Sequence, residues 1–248
     1  MKNILTKSLA KYYLSQGGQI STLGHSFDTG IGNLNLLNAT RTGSKLIAHF
    51  FSPINALASK PVYTVTTNSV IIHVFYYMPL TGQRLNNNTV NNLGEALSGL
   101  FSNFSSSVSS EKNLQKEKSR RKVELRLVKL HYPYLNSYIL AQHIASSVQN
   151  YKLVKILQDL FSSVAPVKNT LSLNALSSAL PSHIVGLKVR VSGRLITERS
   201  RPRKTVQTAQ IGSFSKSNLS LVDNASYTTN NKKGAFTVKV WISQRAVV

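Results

Sequence analysis

The chain has no cysteine and only 8 acidic residues among its 248 positions. The first absence removes disulfides, thiolate metal sites and thiol catalysis, and it leaves the compartment open. The second removes most hydrolytic and metal-dependent chemistry. General acid–base work needs carboxylates or histidine held against a reacting group, and two-metal nucleic-acid chemistry needs clustered carboxylates. Here the acids are scattered, and Glu111 and Glu117, which share a segment, stand in a basic stretch. His25, His49, His73, His131, His143 and His183 have no zinc-type spacing. Neither a GxSxG elbow nor a GxxxxGK[ST] phosphate loop occurs, and Gly30 and Gly32 lack the third glycine of a dinucleotide fingerprint. There is no run of 18 apolar residues, so no transmembrane helix is expected. No catalytic residue, metal, cofactor or small-molecule substrate is expected, and the chain reads as a non-enzyme.

What it has is positive charge. Thirty Lys and Arg against 8 acids give +22. Self-repulsion on that scale destabilises a compact state unless a polyanion offsets it. Nucleic acid is the leading partner by this criterion, with an anionic membrane surface second. Hydrophobic content of 42% still suffices for a packed core. The first residues, MKNILTKSLAKYYLSQ, read as a short basic helix retained in the protein, with a transit peptide as the alternative. Asparagine is abundant, as in Asn86, Asn87 and Asn88, which suits an A+T-rich codon supply.

Periodicity places the elements. Residues 1–58 read as irregular, broken by glycines, with short helices near 3–14 and 44–51. Residues 61–78 read as a β-hairpin turning at Thr67-Asn68-Ser69, with His73 packed inside the second strand. Residues 81–121 read as a low-complexity insertion, partly disordered when free, with a short helix carrying Leu93, Leu97, Leu100, Phe101 and Phe104. Its basic end, Lys112 to Lys122, is either a solvated loop or an RNA contact through Arg120 and Arg121. VELRLVKL at 123–130 alternates as a third strand. Helices are expected near 134–148 and 151–164, followed by a Ser- and Leu-rich connection over 165–181. Strands are expected at 186–195, about 203–212, about 215–223 and 235–243, with Lys232-Lys233-Gly234 as a hairpin turn. The fold class is α+β.

The C-terminal strands carry the binding signal. In GLKVRVSGRL, Gly186 to Leu195, period two puts Leu187, Val189 and Val191 on one face and Lys188, Arg190 and Ser192 on the other. From Gly186 to Lys204 there are seven Lys or Arg and one acid, Glu198. Cations on a strand face contact phosphate oxygens without reading sequence, and arginine adds bidentate geometry. Lys188, Arg190, Arg194, Arg199, Arg201, Arg203, Lys204 and Lys239 are therefore the candidate phosphate contacts. Tyr132, Tyr134, Tyr138 and Tyr151 cluster around the helices in positions that suit core packing, with base stacking as the alternative.

GLKVRVSGRL together with the distant TVKVWI closely resembles the C-terminal domain of the small-subunit ribosomal protein three family, which shows GIKVxVSGRL and GVKVWI. Asp223 and Gly234 fall at matching distances before the last strand. VELRLVKLHYPYLNSYILAQHIASSV and YKLVKILQDL resemble that family's strand and following helices. SKPVYTVTTNSVIIHVFYY is similar to the two strands that open its K-homology domain. The GxxG loop of that domain is absent, since Gly82-Gln83-Arg84-Leu85 has no second glycine. The composition and insertion resemble the fungal mitochondrially encoded form, the variable ribosomal proteins.

The resemblance implies a degenerate K-homology-like (type II) domain over 59–130 with insertion 81–121, after an N-terminal extension of 1–58. It implies a C-terminal ribosomal α/β domain over 131–248, two helices packed on a mostly antiparallel four-stranded sheet. It also implies a structural constituent of the mitochondrial small ribosomal subunit, in the matrix. The partners it implies are small-subunit rRNA in the head, neighbouring head proteins, and mRNA at the entry channel. In the family's helix two arginines and a lysine line that channel; here Lys152 matches the first, Leu153 the second, and Lys155 lies one position from the lysine. No import signal is then expected. The rival from another class is an organellar intron-encoded endonuclease or maturase, which needs acidic metal ligands that this sequence lacks.

Overall fold

A computed structural model describes residues 30–65, 69–79, 85–102, 122–164, 182–199, 202–214 and 220–246. The chain divides into two compact units, one ending at Leu130 and the other beginning at His131. The architecture is mixed α+β, with one four-stranded sheet in each unit.

The first unit runs α1 (Gly30–Phe51), β1 (Leu57–Ala58), β2 (Val62–Val65), β3 (Ser69–Tyr77), α2 (Asn87–Ser102) and β4 (Lys122–Leu130). β3 is central. β1 and β2 pair antiparallel to it, and β4 pairs parallel to it in register from Ser69↔Lys122 to Tyr77↔Leu130. Alternation in β3 buries Val70, Ile72 and Val74 against Ile47, Phe51, Leu93, Leu97 and Phe101 of the two helices. The expected hairpin strands form; the expected turn at 67–69 lies mostly outside the described residues.

Two expectations in this unit need correction. Residues 1–58 are not irregular throughout, because α1 is a helix of 22 residues. A helix-interior glycine costs about 1 kcal/mol, yet full burial of a side chain such as Ile47 or Phe51 returns about 1.5–3 kcal/mol. Tertiary packing overrides the glycine signal, and Tyr63 adds to it by donating to the Thr40 carbonyl at 3.1 Å and sharing a hydrogen bond with Ser44 at 3.1 Å. In the stretch 81–121 the expected helix on Leu93, Leu97, Leu100 and Phe101 forms but is longer than expected: α2 has 16 residues, its polar Asn face exposed and Leu93, Leu97 and Phe101 buried; Phe104 lies outside the described residues. Residues 103–121, including Arg120 and Arg121, lie outside the described residues, as do the expected helix at 3–14 and the connection 165–181.

The second unit runs from a 3-10 turn (Pro133–Leu135) through α3 (Ser137–Ser147), α4 (Leu153–Ser163), β5 (Ser182–Gly193), β6 (Val206–Gly212), β7 (Ser220–Asn231) and β8 (Gly234–Ala246). The sheet order is β6-β5-β8-β7, and all three pairings are antiparallel. Leu187, Val189, Val191, Phe236, Val238, Val240 and Ile242 are buried on one face, against Leu140, Ala141, Ile144 and Ala145 of α3 and Leu153 and Leu160 of α4. The strand expected at 215–223 instead spans 220–231 and runs to the Lys232-Lys233 turn.

The start of α3 is fastened to the sheet. The Asn136 side chain accepts from the Tyr138 and Ile139 amides at 3.0 and 3.1 Å, and the Asp223 carboxylate accepts from the Ser137 amide at 3.2 Å. Three of the four amides that a helix start leaves unpaired are thus satisfied, and the carboxylate also opposes the positive end of the helix dipole. Asp223→Ala is expected to destabilise the protein by about 1–2 kcal/mol, with Asp223→Asn costing less because it keeps an acceptor. Urea unfolding checks this; coincident midpoints for Asp223→Ala and the parent would remove the contact from the account.

Candidate nucleic-acid interface

Helices cover one face of the β5–β8 sheet; the other face carries the charge. Register fixes its rows. Val206, Ser192, Thr237 and Thr228 form one row; Thr208, Arg190, Lys239 and Ser226 the next; Gln210, Lys188, Trp241 and Asn224 the third. Arg190 and Lys239 are exposed and stand directly opposite each other. Like charges in that position destabilise a sheet. Lys188 is half-buried, with its ammonium 5.6 Å from the Trp241 ring centroid, a cation–π contact worth about 0.5–1 kcal/mol at an exposed site. Arg245, exposed near the end of β8, pairs across to His183 and Ser220 and continues the cationic face. Burial and the nearby Arg245 hold the His183 imidazole below the ordinary histidine range. Among the described residues of this sheet no Asp or Glu stands on that face; Asp223 faces the helices.

A second basic group stands at one end of the sheet. The amide of Gly193 donates to the Thr205 carbonyl at 2.9 Å, so the segment that leaves β5 at Gly193 returns to the same end of the sheet at β6, and its described residues 194–199 and 202–205 lie in a loop. Arg194, Arg199, Arg203 and Lys204 are exposed among these, and Arg201 lies outside the described residues. The β7–β8 turn fastens this loop. Asn231 donates to the Arg194 carbonyl at 2.7 Å, and the Lys233 ammonium donates to the carbonyls of Ile196, at 2.9 Å, and Glu198. Gln207 donates to the Glu198 carboxylate. Lys233 is thus engaged in holding the arginine loop. Sequence reading saw only a turn there, because a lysine's partners are not encoded in local periodicity.

Lys152 and Lys155 do not join these groups. Both are exposed on or beside α4, on the helical side of the unit, with Lys152 at the N-cap. The tyrosines separate as well. Tyr138 packs edge-on against Tyr227 with ring centroids 6.0 Å apart, as core packing predicts. Tyr132 and Tyr151 are instead 56% and 58% exposed, which corrects the packing expectation for these two; Tyr132 stacks on Tyr134 at 5.1 Å. Trp241 and Arg245 were not among the candidates. Their signal was available, since period two puts 237, 239, 241, 243 and 245 on the face opposite Val238, Val240 and Ile242.

In the first unit, Arg126 forms an exposed ion pair with Glu124 at 3.0 Å, and this hydrogen bond holds the Glu124 carboxyl below the usual carboxylate range. Among the described residues no three His, Asp or Glu side chains gather as a metal site, and no helix is long and apolar enough to cross a membrane.

This chain is similar to known proteins over most of its length. The family model described as mitochondrial ribosomal protein (VAR1) matches residues 56–245. The small ribosomal subunit protein uS3m of Mycosarcoma maydis is 34% identical over 198 residues, a match that covers 76% of this chain and 68% of that protein.

Proposed function

The chain belongs to the VAR1 family of mitochondrial ribosomal proteins, and on that premise we propose that it is a structural constituent of the mitochondrial small ribosomal subunit that binds rRNA of the head through its second unit. The observation that carries the reading is the outer face of the β5–β8 sheet. Arg190 and Lys239 are held side by side there with no acid on their face among the described residues, an arrangement that favours a polyanion over free solvent. Phosphate contacts by Lys188, Arg190 and Lys239, extended by Arg245, by the loop residues Arg194, Arg199, Arg203 and Lys204 and by Arg201, position RNA without reading its sequence.

The first unit is a degenerate K-homology-like domain in this proposal. A strand pair followed by a helix and a parallel third strand supports it. Residues 131–248 are the ribosomal α/β domain. Lys152 and Lys155, on the helical side, flank the mRNA path, while the sheet side faces rRNA and neighbouring head proteins. The protein acts by binding, with no reaction of its own; scattered acids support that.

Gradient sedimentation of tagged protein from mitochondria, with mapped RNA crosslinks, tests the proposal. Co-migration with small subunits and crosslinks from β5 and β8 to rRNA are expected. Migration away from small subunits would overturn the assignment.

A further inference from the structure

We propose that the cleft bounded by Tyr132, Pro133 and Tyr134, α3 and α4 takes one unstacked RNA base that carries an exocyclic amino group, guanine above all. The inference rests on the RNA-binding reading above. The cavity measures about 520 Å³, inside the range of roughly 300–1,000 Å³ typical of small-ligand sites. Its aromatic wall comes from Tyr132, Tyr134 and Tyr151, and its polar groups include His143, Lys155 and Asp159.

The aromatics are placed for stacking. Tyr132 and Tyr134 are stacked, 11° from parallel with centroids 5.1 Å apart, so a base laid on the exposed Tyr132 ring would extend an existing stack. Tyr132 and Tyr151 leave more than half of their surface in water, where a large ring gains nothing. An unpaired base would cover them, and aromatic stacking on a base is a common means of single-strand recognition. Burial raises the Tyr134 phenol above its ordinary range, and the neighbouring Tyr132 adds to this; the group stays protonated. Burial lowers the His143 imidazole below the ordinary histidine range, so it lines the cleft as a neutral donor and acceptor.

Charge then selects the base. Lys155 offers a cation for the attached phosphate. Asp159, an acceptor when ionised, matches amino donors as carboxylates match the cytosine amine. Guanine presents a ring N–H and an amine side by side. Uracil presents one N–H between two carbonyls, which a carboxylate repels.

Leu135 and Val154 are also exposed but do not line the cleft. A protein partner covering this region would use them; a base would not.

The test uses the full-length protein and a labelled short oligouridine with or without one central guanosine, read by fluorescence anisotropy. The guanosine oligonucleotide is expected to bind more tightly. Tyr132→Ala and Tyr151→Ala should each weaken its binding about 5- to 150-fold, the range of one lost stacking contact, while Tyr151→Phe retains it. Asp159→Asn should abolish the guanosine preference and leave oligouridine affinity unweakened. Circular dichroism checks that each variant folds. If the tyrosine variants bind like the parent while Lys188→Gln with Arg190→Gln weakens both oligonucleotides, the cleft takes no base and the RNA reading stands. If neither set has any effect, both readings fail. If Leu135→Ser and Val154→Ser impair association with small subunits and the tyrosine variants leave RNA affinity intact, the cleft region docks a protein and the proposal is wrong.

Discussion

Replacing Lys188, Arg190, Lys239 and Arg245 together with glutamine is expected to lower affinity for small-subunit rRNA about 10³-fold at 100 mM salt. Each neutralised phosphate contributes roughly 0.7–0.9 to the slope of log affinity against log salt. Four lost contacts therefore flatten that slope by about 3, and the same arithmetic gives the loss in affinity. The geometry makes the four act together. They come from two adjacent strands, β5 and β8, in fixed register, on one face of one sheet. The free protein should change little in stability, because relief of the Arg190–Lys239 repulsion across the β5–β8 ladder offsets loss of the Lys188–Trp241 contact. Lys233→Gln supplies the control from the other direction. Its ammonium is engaged with loop carbonyls, so its loss should loosen the arginine loop while changing the salt slope by less than any outer-face substitution. Binding isotherms across a salt series decide the matter. An undiminished slope in the fourfold variant would falsify the assignment of this face to phosphate.

The cationic face was legible because a strand has period two. Once Leu187, Val189 and Val191 are placed inward, Lys188 and Arg190 have nowhere to point but outward, and Lys239 follows from Val238 and Val240. Strand β7 was harder. SLVDNASYTTNN has Ser, Asn or Thr on both faces, so alternation carried little contrast and the strand was placed too early. The helices of the first unit were expected near 44–51 and around Leu93 to Phe101 but drawn too short, because of local chemistry. Gly30, Gly32 and Gly43 in α1, and the asparagines of α2, argue against helix when read locally. Ile47, Phe51, Leu93, Leu97 and Phe101 gain enough by packing on β3 to outweigh them. Partners far apart in sequence were not legible at all. Asp223 meets the start of α3, 86 positions away, and Lys233 meets a loop 35 to 37 positions earlier. No periodicity encodes such pairs. The exposed tyrosines show the same limit, because helical spacing places them near a core and does not say whether neighbours close over them.

Gly193, in the SGR segment, should be one of the positions of the second unit that tolerate a side chain least, together with Gly212. Its φ is +124°, a conformation that L side chains rarely adopt. An added Cβ would also lie 2.7 Å from the Ala235 carbonyl oxygen and from the Phe236 Cα and Cβ. Phe236 is its register partner on β8 and is buried at 1% exposure, so the obstacle is β8 backbone and the first carbon of a buried side chain, neither of which yields cheaply. Backbone strain costs about 1–3 kcal/mol, and overpacking adds about 1–3 kcal/mol. Gly193→Ala is therefore expected to destabilise the protein by about 2–6 kcal/mol and to lower its melting temperature by roughly 5–20 °C. Gly234 separates the two causes. Its φ is also +124°, yet nothing lies within 4 Å of an added Cβ. Gly234→Ala should thus carry the strain alone, about 1–3 kcal/mol. Calorimetry of the two variants measures the difference, and equal shifts would mean that the close approach to β8 contributes nothing. A larger loss at Gly193 would tie stability to function directly. Gly193 ends β5, and the loop that bears Arg194, Arg199, Arg203 and Lys204 leaves the sheet from it. Displacing β5 from β8 at that point would move the arginine loop and break the Arg190–Lys239 register together, so RNA affinity should fall in Gly193→Ala even where the variant remains folded.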